Sequence, residues 1–417
     1  MTLRLPKLKI SGGFENFIAL LFALRAITYV WLAFASSIYM PWYATVVLIL
    51  RYITIPFGLY YIAVKQKHAD ARDAFVLLPL FVYWLLLVFN TYGGYQGSYL
   101  HELISIGCFL LMNRDMKIKI FQYFYKITVV LGLISILVYF AYLVRLPMEF
   151  EQLPFYNDGI QTSYYRRWLI FAVMDSGFSL PRLCGIFNEP GALGTVCGLL
   201  FATTFHYSKK WEKIILLLTT IVSFSLAGYL LILVYLIIYL AQKNWKYALV
   251  VLGLVIFLFM IPNIDWHNDE INNFAQRFSI TSQGLMGDNR TRTAFDSEFQ
   301  QIMHSNSVWF GKGATYTSDS GTSSYKNFIV QFGVIGFGLF FVLWLIAALK
   351  KAGRDKDCLI LLLIFLISLY QRPVTMINTY GYVLLFGGVA WILNKKEQQQ
   401  DLVEMKNRYL YESIKDV

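Results

Sequence analysis

The stretch Pro181-Arg-Leu-Cys-Gly-Ile-Phe-Asn-Glu-Pro-Gly-Ala-Leu-Gly194 runs from a polar loop into an apolar helix. Proline is accepted in a first helical turn because its missing N–H would be unpaired there, so we expect a helix to begin beside Pro190. Glu189 complements the positive end of the helix dipole, and Arg182 lies shortly before it. Arg182 and the positive end of the predicted helix both favour the binding of an anion at this stretch. The alternative is that Arg182 anchors the helix at lipid headgroups and Glu189 is an ordinary cap.

Composition is typical of a polytopic membrane protein. The 417 residues are 57% hydrophobic and only 15% charged, whereas soluble proteins carry roughly a quarter of their residues as charges. The first apolar segment has no small-residue cleavage site and is predicted to be retained as a span. The four cysteines are spread along the chain, so neither a disulfide framework nor a cysteine-rich metal site is predicted. The net charge of +11 is divided between two membrane sides and does not indicate nucleic acid.

Apolar runs of roughly 20 residues, the length that crosses about 30 Å of hydrocarbon, predict an all-α fold with about twelve transmembrane helices. The predicted spans are 15–37, 42–64, 74–91, 97–112, 122–144, 187–206, 213–227, 228–241, 247–262, 327–350, 356–372 and 376–394. The pair 213–227 and 228–241 is short, and one bent span with a re-entrant piece is the alternative. Residues 1–417 are predicted to form a single transmembrane domain.

The type of basic residue changes across the predicted membrane. With the N-terminus in the cytoplasm, every short inner loop is basic and mostly lysine, and the polar tail 395–417 also lies inside. The outer and mid-span basic residues are mostly arginine: Arg25, Arg51, Arg145, Arg166, Arg167, Arg182, Arg277, Arg290, Arg292, Lys312, Lys326 and Arg372. Since arginine makes forked contacts with phosphate and carboxylate, an anionic ligand on the outer side is predicted.

Two outer loops, 145–186 and 263–326, are long enough to carry function. The first contains Arg166 and Arg167 among aromatic residues, which either stack on sugars or form an interfacial belt. The second contains a Gly-Asp-Asn turn before a helical stretch from Ala294 to His304. Candidate binding residues in the second loop are Asp288, Arg290, Arg292, His304, Tyr325 and Lys326.

Arg25 and Arg51 lie near the middle of the first two predicted spans. A charge at that depth costs on the order of 3 kcal/mol, so each arginine is expected to face a partner or a wet cavity. The nearest predicted carboxylates are Glu102 and Glu189. Two interpretations follow: a structural pair, or a groove that admits a lipid-linked phosphate.

Several motifs together resemble the Wzy-type O-antigen and capsule polymerases, which are related to the O-antigen ligases. They are Arg182-x-x-Gly185-x-Phe187-x-Glu189-Pro190, Asp288-Asn289-Arg290 before a helix, Phe310-Gly311-x-Gly313, and Tyr325-x-Asn327 followed by Gly333-x-x-Gly336. The resemblance covers roughly residues 180–340 by motif and the whole chain by topology. It implies a fold like that of the C-type glycosyltransferases, in a bacterial inner membrane, with the active site facing the periplasm.

The resemblance implies transfer of a growing glycan from undecaprenyl pyrophosphate onto the next lipid-linked repeat unit, making O-antigen or a related surface polysaccharide. It implies catalytic arginines at Arg182 and Arg290, with Arg292 beside the latter. Glu189 is the first candidate for the base, ahead of Asp288 and His304. Membrane lipids and a polysaccharide chain-length regulator are the implied partners.

Three alternatives stay open. The ligases have a histidine where this chain has Lys326, which favours a polymerase over a ligase. A flippase for lipid-linked oligosaccharides is the main alternative outside the enzymes, and Arg25 and Arg51 are its support. Asp265-x-His267-x-Asp269 could bind a cation, but such loops are more often simply solvated, so neither a metal nor another cofactor is predicted.

Overall fold

The computed structural model describes residues 13–28, 41–66, 75–89, 100–157, 160–175, 180–187, 189–268, 272, 275–276, 279–281, 284–285, 293–314, 316 and 325–415. The predicted site residues Asp288, Arg290 and Arg292 lie outside these ranges.

The described chain is mostly helical. Its helices are α1 (Gly13–Thr28), α2 (Pro41–Tyr60, extended by a π-helical turn Tyr61–Gln66), α3 (Leu78–Phe89, preceded by a 3₁₀ turn Phe75–Leu77), α4 (Leu100–Leu111), α5 (Arg114–Leu143), α6 (Pro190–Thr204), α7 (Lys210–Val222), α8 (Leu226–Lys243), α9 (Trp245–Met260, followed by a 3₁₀ turn Ile261–Asn263), α10 (Thr293–Met303), α11 (Ser307–Phe310), α12 (Tyr325–Ala352), α13 (Lys356–Gln371, followed by a 3₁₀ turn Pro373–Ile377), α14 (Thr379–Tyr382, followed by a π-helical turn Val383–Gly387) and α15 (Gly388–Lys415).

Each predicted span overlaps at least one described helix, but residues 29–37, 74, 90–91, 97–99 and 188 of those spans lie outside the described residues. The predicted helix from Ala294 to His304 corresponds to α10. Among the described residues, four helices are long and apolar enough to cross a membrane: Thr45–Gln66, Arg114–Leu143, Leu226–Lys243 and Tyr325–Ala352. These helices indicate a membrane protein. Shorter apolar helices include Phe75–Phe89, Leu100–Leu111 and Pro190–Thr204.

Residues 213–241 form two helices, α7 and α8, joined at Ser223–Ser225. Both pack against α6. The close approach depends on glycine, because a Cβ added to Gly228 would lie 2.7 Å from the carbonyl oxygen of Gly194. Small residues that let two helix backbones come this close are typical of membrane helix packing.

The first long loop contains a four-stranded antiparallel sheet that the sequence analysis did not predict. Its strands, in spatial as well as chain order, are β1 (Glu151–Asn157), β2 (Ile160–Trp168), β3 (Phe171–Asp175) and β4 (Arg182–Gly185). One face is buried: Leu153, Tyr165, Ala172 and Cys184 pack together with Val47 of α2. A second, two-stranded sheet pairs β5 (Ile280–Thr281) with β6 (Gly284–Leu285).

The second long loop ends in a small unit that we call the loop cap, residues 293–316 and 325–332. It has its own apolar core of Phe295, Phe299, Ile302 and Val330. The cap is therefore built partly from the first turns of α12, and α12 connects it to the rest of the bundle.

Helix α12 is broken at Gly333, whose φ of 71° and ψ of 173° are not helical. The break leaves carbonyl groups of the first helical segment without helical partners. Two of them are used by the cap: the N–H of Lys312 donates to Val330 O at 2.8 Å, and the N–H of Gly313 donates to Gln331 O at 3.0 Å. A Cβ at Gly333 would overlap the backbone of α11, so both the conformation and the contact require glycine.

Candidate anion site at the start of helix α6

Helix α6 begins at Pro190, as predicted. Glu189 is the N-cap residue by its extended backbone, but its side chain makes no capping hydrogen bond. Instead the Glu189 carboxylate accepts a hydrogen bond from Nη2 of Arg372, with which it forms an ion pair. A carboxylate next to the first turn is favoured by the helix dipole, so the ion pair lies at the positive end of α6.

Arg372 follows α13 and begins the 3₁₀ turn. The residue is only 9% exposed. Its Nε–H is buried and has no hydrogen-bond partner among the described residues, and neither has the side-chain Nδ2 of Asn378 at the other end of the turn. Other buried donors of the described residues, such as Nε of Arg25 and Nη1 of Arg167, also have no partner, so what distinguishes Arg372 is that its ion pair is partly exposed.

Arg182, the first residue of β4, binds the join between α7 and α8. Its side chain donates to Ser223 O at 3.4 Å and to Phe224 O at 3.1 Å. These carbonyls lie at the carboxyl end of α7, where a cation is favoured by the helix dipole. Arg182 therefore helps to cap α7. Glu189 was also interpreted as an ordinary cap, but its side chain makes no capping hydrogen bond and pairs with Arg372.

The join between α7 and α8 brings Arg182 to the first turn of α6. Ser225 donates from its hydroxyl to Gly191 O at 3.4 Å, which fixes the join against that turn. Arg182 is thus linked to α6 by way of residues 223–225, which it contacts, and Arg372 is linked to α6 by its ion pair with Glu189. We call the three side chains Arg182, Glu189 and Arg372, with the first turn of α6, the α6 site.

The buried face of the sheet includes Cys184, which lies two residues after Arg182 on β4. Burial raises the pKa of the Cys184 thiol; Arg182 opposes the shift and Glu189 adds to it. Burial also raises the pKa of Tyr165, with smaller contributions from Cys184 and Glu189. The thiol and the phenol are therefore neutral at pH 7.

Arg166 and Arg167 are neighbours on β2 and lie on opposite faces of the sheet. Arg166 donates to the side chain of Gln152 and lies 3.8 Å from the carboxylate of Asp175. Arg167 is buried and pairs with Glu151, and its Nη1 has no partner among the described residues. Both arginines therefore hold strands together by cross-strand contacts.

Arg25 lies in the bundle interior and is 1% exposed. It forms an ion pair of 2.7 Å with Glu102 and also donates to His101 O at 3.1 Å and to the backbone carbonyl of Arg51. The structural pair, one of the two interpretations drawn from the sequence, is the arrangement present. Arg51 contributes its backbone carbonyl to this cluster, and its side chain is half-buried.

The remaining described candidates lie near the loop cap. Tyr325 packs on Tyr370, with ring centroids 5.7 Å apart, two residues before Arg372. Lys326 lies over the ring of Phe299 at 5.3 Å. His304 is exposed beyond the end of α10. Tyr325 is therefore the loop-cap candidate that the contacts bring nearest to the α6 site.

The acidic motif beginning at Asp265 forms a local turn. The carboxylate of Asp265 accepts from the backbone N–H of His267 at 3.0 Å and from Asn272 at 3.1 Å. These hydrogen bonds, the one from His267 first, lower the pKa of Asp265. Within the described residues, no group of three or more His, Cys, Asp and Glu side chains is placed to hold a metal ion; Asp269 is not among them.

Sequence reasoning included Arg372 among the outer arginines but not among the site residues. The available signal was its position at the predicted outer end of a span. Its partner could not be read from the sequence, because Glu189 is 183 residues away.

Comparisons were made with protein-family models, with curated proteins and with solved structures, and none of them gave a match.

Proposed function

We propose that this protein is a bacterial inner-membrane glycosyltransferase that polymerises oligosaccharide repeat units carried on undecaprenyl pyrophosphate. In this proposal the chain crosses the membrane about twelve times in a fold like that of the C-type glycosyltransferases. Both termini are cytoplasmic and the α6 site faces the periplasm. The product is O-antigen or a related surface polysaccharide.

The observation that carries the proposal is the α6 site itself. Arg372 pairs with Glu189 at the start of α6, and Arg182, distant from Arg372 in the chain, binds the α7–α8 join that Ser225 fixes against the first turn of the same helix. A helix start and forked guanidinium groups are two of the commonest ways in which proteins bind phosphate groups. The motif that resembles the polymerases, Arg182 to Pro190, is the same segment that builds this site.

The proposed reaction is metal-independent. A sugar hydroxyl oxygen of the acceptor attacks the anomeric carbon of the donor and forms the new glycosidic bond. The bond between that carbon and the pyrophosphate oxygen breaks, and its electron pair leaves with the pyrophosphate. Arg182 and Arg290 stabilise the charge on the leaving group, since preorganised donors in a water-poor site act most strongly where charge develops. The proton of the hydroxyl goes to the carboxylate of Glu189.

A flippase is less well supported than a transferase. That alternative depended on mid-span arginines in a wet groove, and Arg25 is instead enclosed by protein acceptors and Glu102. Charges used for transport generally face a cavity near the membrane midplane.

The test is extension of a lipid-linked repeat unit by the purified full-length protein in lipid nanodiscs, followed as a ladder of products. We expect Arg182→Ala and Arg290→Ala each to reduce extension by about 10²- to 10³-fold, the usual effect of losing one leaving-group donor. Because Arg182 also caps α7, Arg182→Lys is included to keep the charge, and thermal melting is measured for every variant.

Arg114→Ala is the matched control, because Arg114 forms an exposed pair with Glu397 far from the α6 site. It should extend the glycan at the wild-type rate. Unchanged extension by folded Arg182→Ala and Arg290→Ala would contradict the proposal. Loss of activity on adding a chelator would contradict its metal-independent form.

A further inference from the structure

The Glu189–Arg372 pair is open to a ligand. The side chain of Glu189 is 37% exposed and that of Arg372 is 11% exposed. By contrast, the side chains of Arg25 and Glu102 are 1% and 6% exposed. A molecule arriving at the start of α6 could therefore reach the Glu189–Arg372 pair without unfolding the bundle.

The place occupied by Glu189 is one that favours an anion. Helix α6 has 15 residues, and its first turn points its dipole towards Glu189. Pro190 has no N–H, and the amides of Ala192 and Leu193 donate to the carbonyl of Glu189, so donors for an anion at this end come mainly from neighbouring side chains. Arg372, nine-tenths buried, is aimed at this end of the helix by its bond to Glu189, and its Nε–H has no partner among the described residues.

The carboxylate of Glu189 carries one negative charge, whereas a pyrophosphate ester carries at least two and has more acceptor oxygens. A guanidinium has five N–H donors in a planar fork, which matches phosphate oxygens better than a single carboxylate contact does. An arriving pyrophosphate should therefore compete with Glu189 for Arg372.

We propose that Arg372 is a pyrophosphate-binding residue and that the carboxylate of Glu189 occupies the position of the pyrophosphate until this ligand binds. Arg372 exchanges its ion pair with Glu189 for the phosphate oxygens, and the carboxylate is released beside the bound donor. The choice of pyrophosphate rests on the proposed function, in which the released carboxylate accepts the proton of the acceptor hydroxyl. Donor binding thus prepares the base, because a carboxylate paired with a guanidinium is a weaker proton acceptor.

The test measures binding, so it does not require glycan transfer. Labelled undecaprenyl pyrophosphate and labelled inorganic pyrophosphate are each titrated onto the full-length protein in nanodiscs. We expect Arg372→Gln to weaken binding by about 10- to 100-fold, the change expected for loss of one hydrogen bond to a charged group. Glu189→Gln should tighten binding by several-fold because the competing carboxylate is gone, and the double variant should bind as weakly as Arg372→Gln.

Weaker binding by Arg372→Gln together with tighter binding by Glu189→Gln would distinguish an ion pair that exchanges with the ligand from one that only supports the fold. If the pair only supported the fold, both single variants would weaken binding together with the melting temperature. Arg372→Lys, which keeps the charge without the fork, should bind with intermediate affinity and shows whether a loss in Arg372→Gln comes from misfolding. Arg114→Gln is the matched control and should bind as the wild type does.

The outcomes distinguish the inference from the proposed function. Glu189→Gln binding that is unchanged or weaker would overturn the exchange. If the variants showed the expected changes in affinity for inorganic pyrophosphate but not for undecaprenyl pyrophosphate, the proposal of a lipid-linked ligand would be overturned. The expected pattern with the lipid, in a protein that makes no glycan ladder, would support the inference and contradict the polymerase. A protein that makes the glycan ladder but lacks the expected changes in affinity would support the polymerase and contradict the inference.

Discussion

The molecule contains two arginine–glutamate pairs that look alike in the sequence and differ in the structure. Arg25–Glu102 is enclosed in the bundle, and both oxygens of Glu102 are used: one accepts from Arg25 at 2.7 Å and the other from the backbone N–H of Thr379 at 2.6 Å. Arg372–Glu189 lies at the start of α6 with a partly exposed carboxylate. The first pair joins α1, α4 and α14, while the second can change partners.

The difference shows that burial and the number of partners, more than charge, separate a structural ion pair from a candidate site. The enclosed pair uses its charges on several protein donors and acceptors, which leaves less for a ligand, although Nε of Arg25 has no partner among the described residues. A partly exposed pair gains less stability and is easier to break. The three predictions below test this distinction.

Glu102→Gln should have the largest effect. It leaves Arg25 as an uncompensated buried charge and weakens the cap at Thr379, so we expect a loss of about 3–5 kcal/mol in unfolding free energy. The measurement is the denaturation midpoint in nanodiscs, together with the yield of monodisperse protein. The same substitution at Glu189 is the matched comparison and should cost less; equal losses at both positions would remove the distinction.

A pH series at Asp355 should give an intermediate effect. Asp355 caps α13 by accepting from the N–H groups of Asp357 and Cys358, and it pairs with Lys396 at 2.6 Å. Burial acts to raise the pKa of Asp355, but Lys396 and the cap hydrogen bonds outweigh it, so the pKa is lowered from its ordinary 3.8. The stability contributed by a carboxylate with a lowered pKa is present at neutral pH and is lost as the pH falls through that value.

Asp355→Asn keeps a good capping residue and removes the charge. We therefore expect its melting temperature to fall less steeply than that of the wild type between pH 5 and about pH 3. Parallel curves for the two proteins would show that the pair with Lys396 contributes no pH-dependent stability.

Glu397→Gln should have the smallest effect. Glu397 pairs with Arg114 at 2.8 Å, and the side chains are 55% and 43% exposed. Exposed pairs of this kind contribute little and are screened by salt, so the change in unfolding free energy should stay within about 0.5 kcal/mol. A larger loss of unfolding free energy that persists in high salt would show that exposure does not set the order of the effects at Glu102, Glu189 and Glu397.

Much of the helical fold could be predicted because its signals are local. A helix start was predicted beside Pro190, where α6 begins, and the boundary predicted between residues 227 and 228 lies a few residues after the observed join at 223–225. The sheet was missed because its strands do not show the regular alternation of apolar and polar residues that predicts a strand. Arg167 lies on the same buried face as Tyr165, so a strand that reads as charged and aromatic has no clear polar side.

The site could be predicted only in part. Arg182 and Glu189 were named from the helix start that they precede; Glu189 is its N-cap residue, and Arg182 binds the neighbouring α7–α8 join. The partner expected from the second loop, Arg290, is outside the described residues, and the arginine found beside Glu189 is Arg372. Of the two interpretations left open for Arg25, the structural pair is the one present, and its partner is Glu102, one of the two carboxylates predicted to be nearest.

The sequence by itself determined where helices form, that several are apolar enough for a membrane, and that arginine is concentrated near the long loops. These properties depend on hydropathy and on residues a few positions apart. Only the tertiary structure decided that Arg372 meets Glu189, that Arg182 caps α7, and that strands β1 to β4 form a sheet over α2. Such pairings join segments far apart in the chain, and they are set by how the helices pack and by which charges remain near the surface.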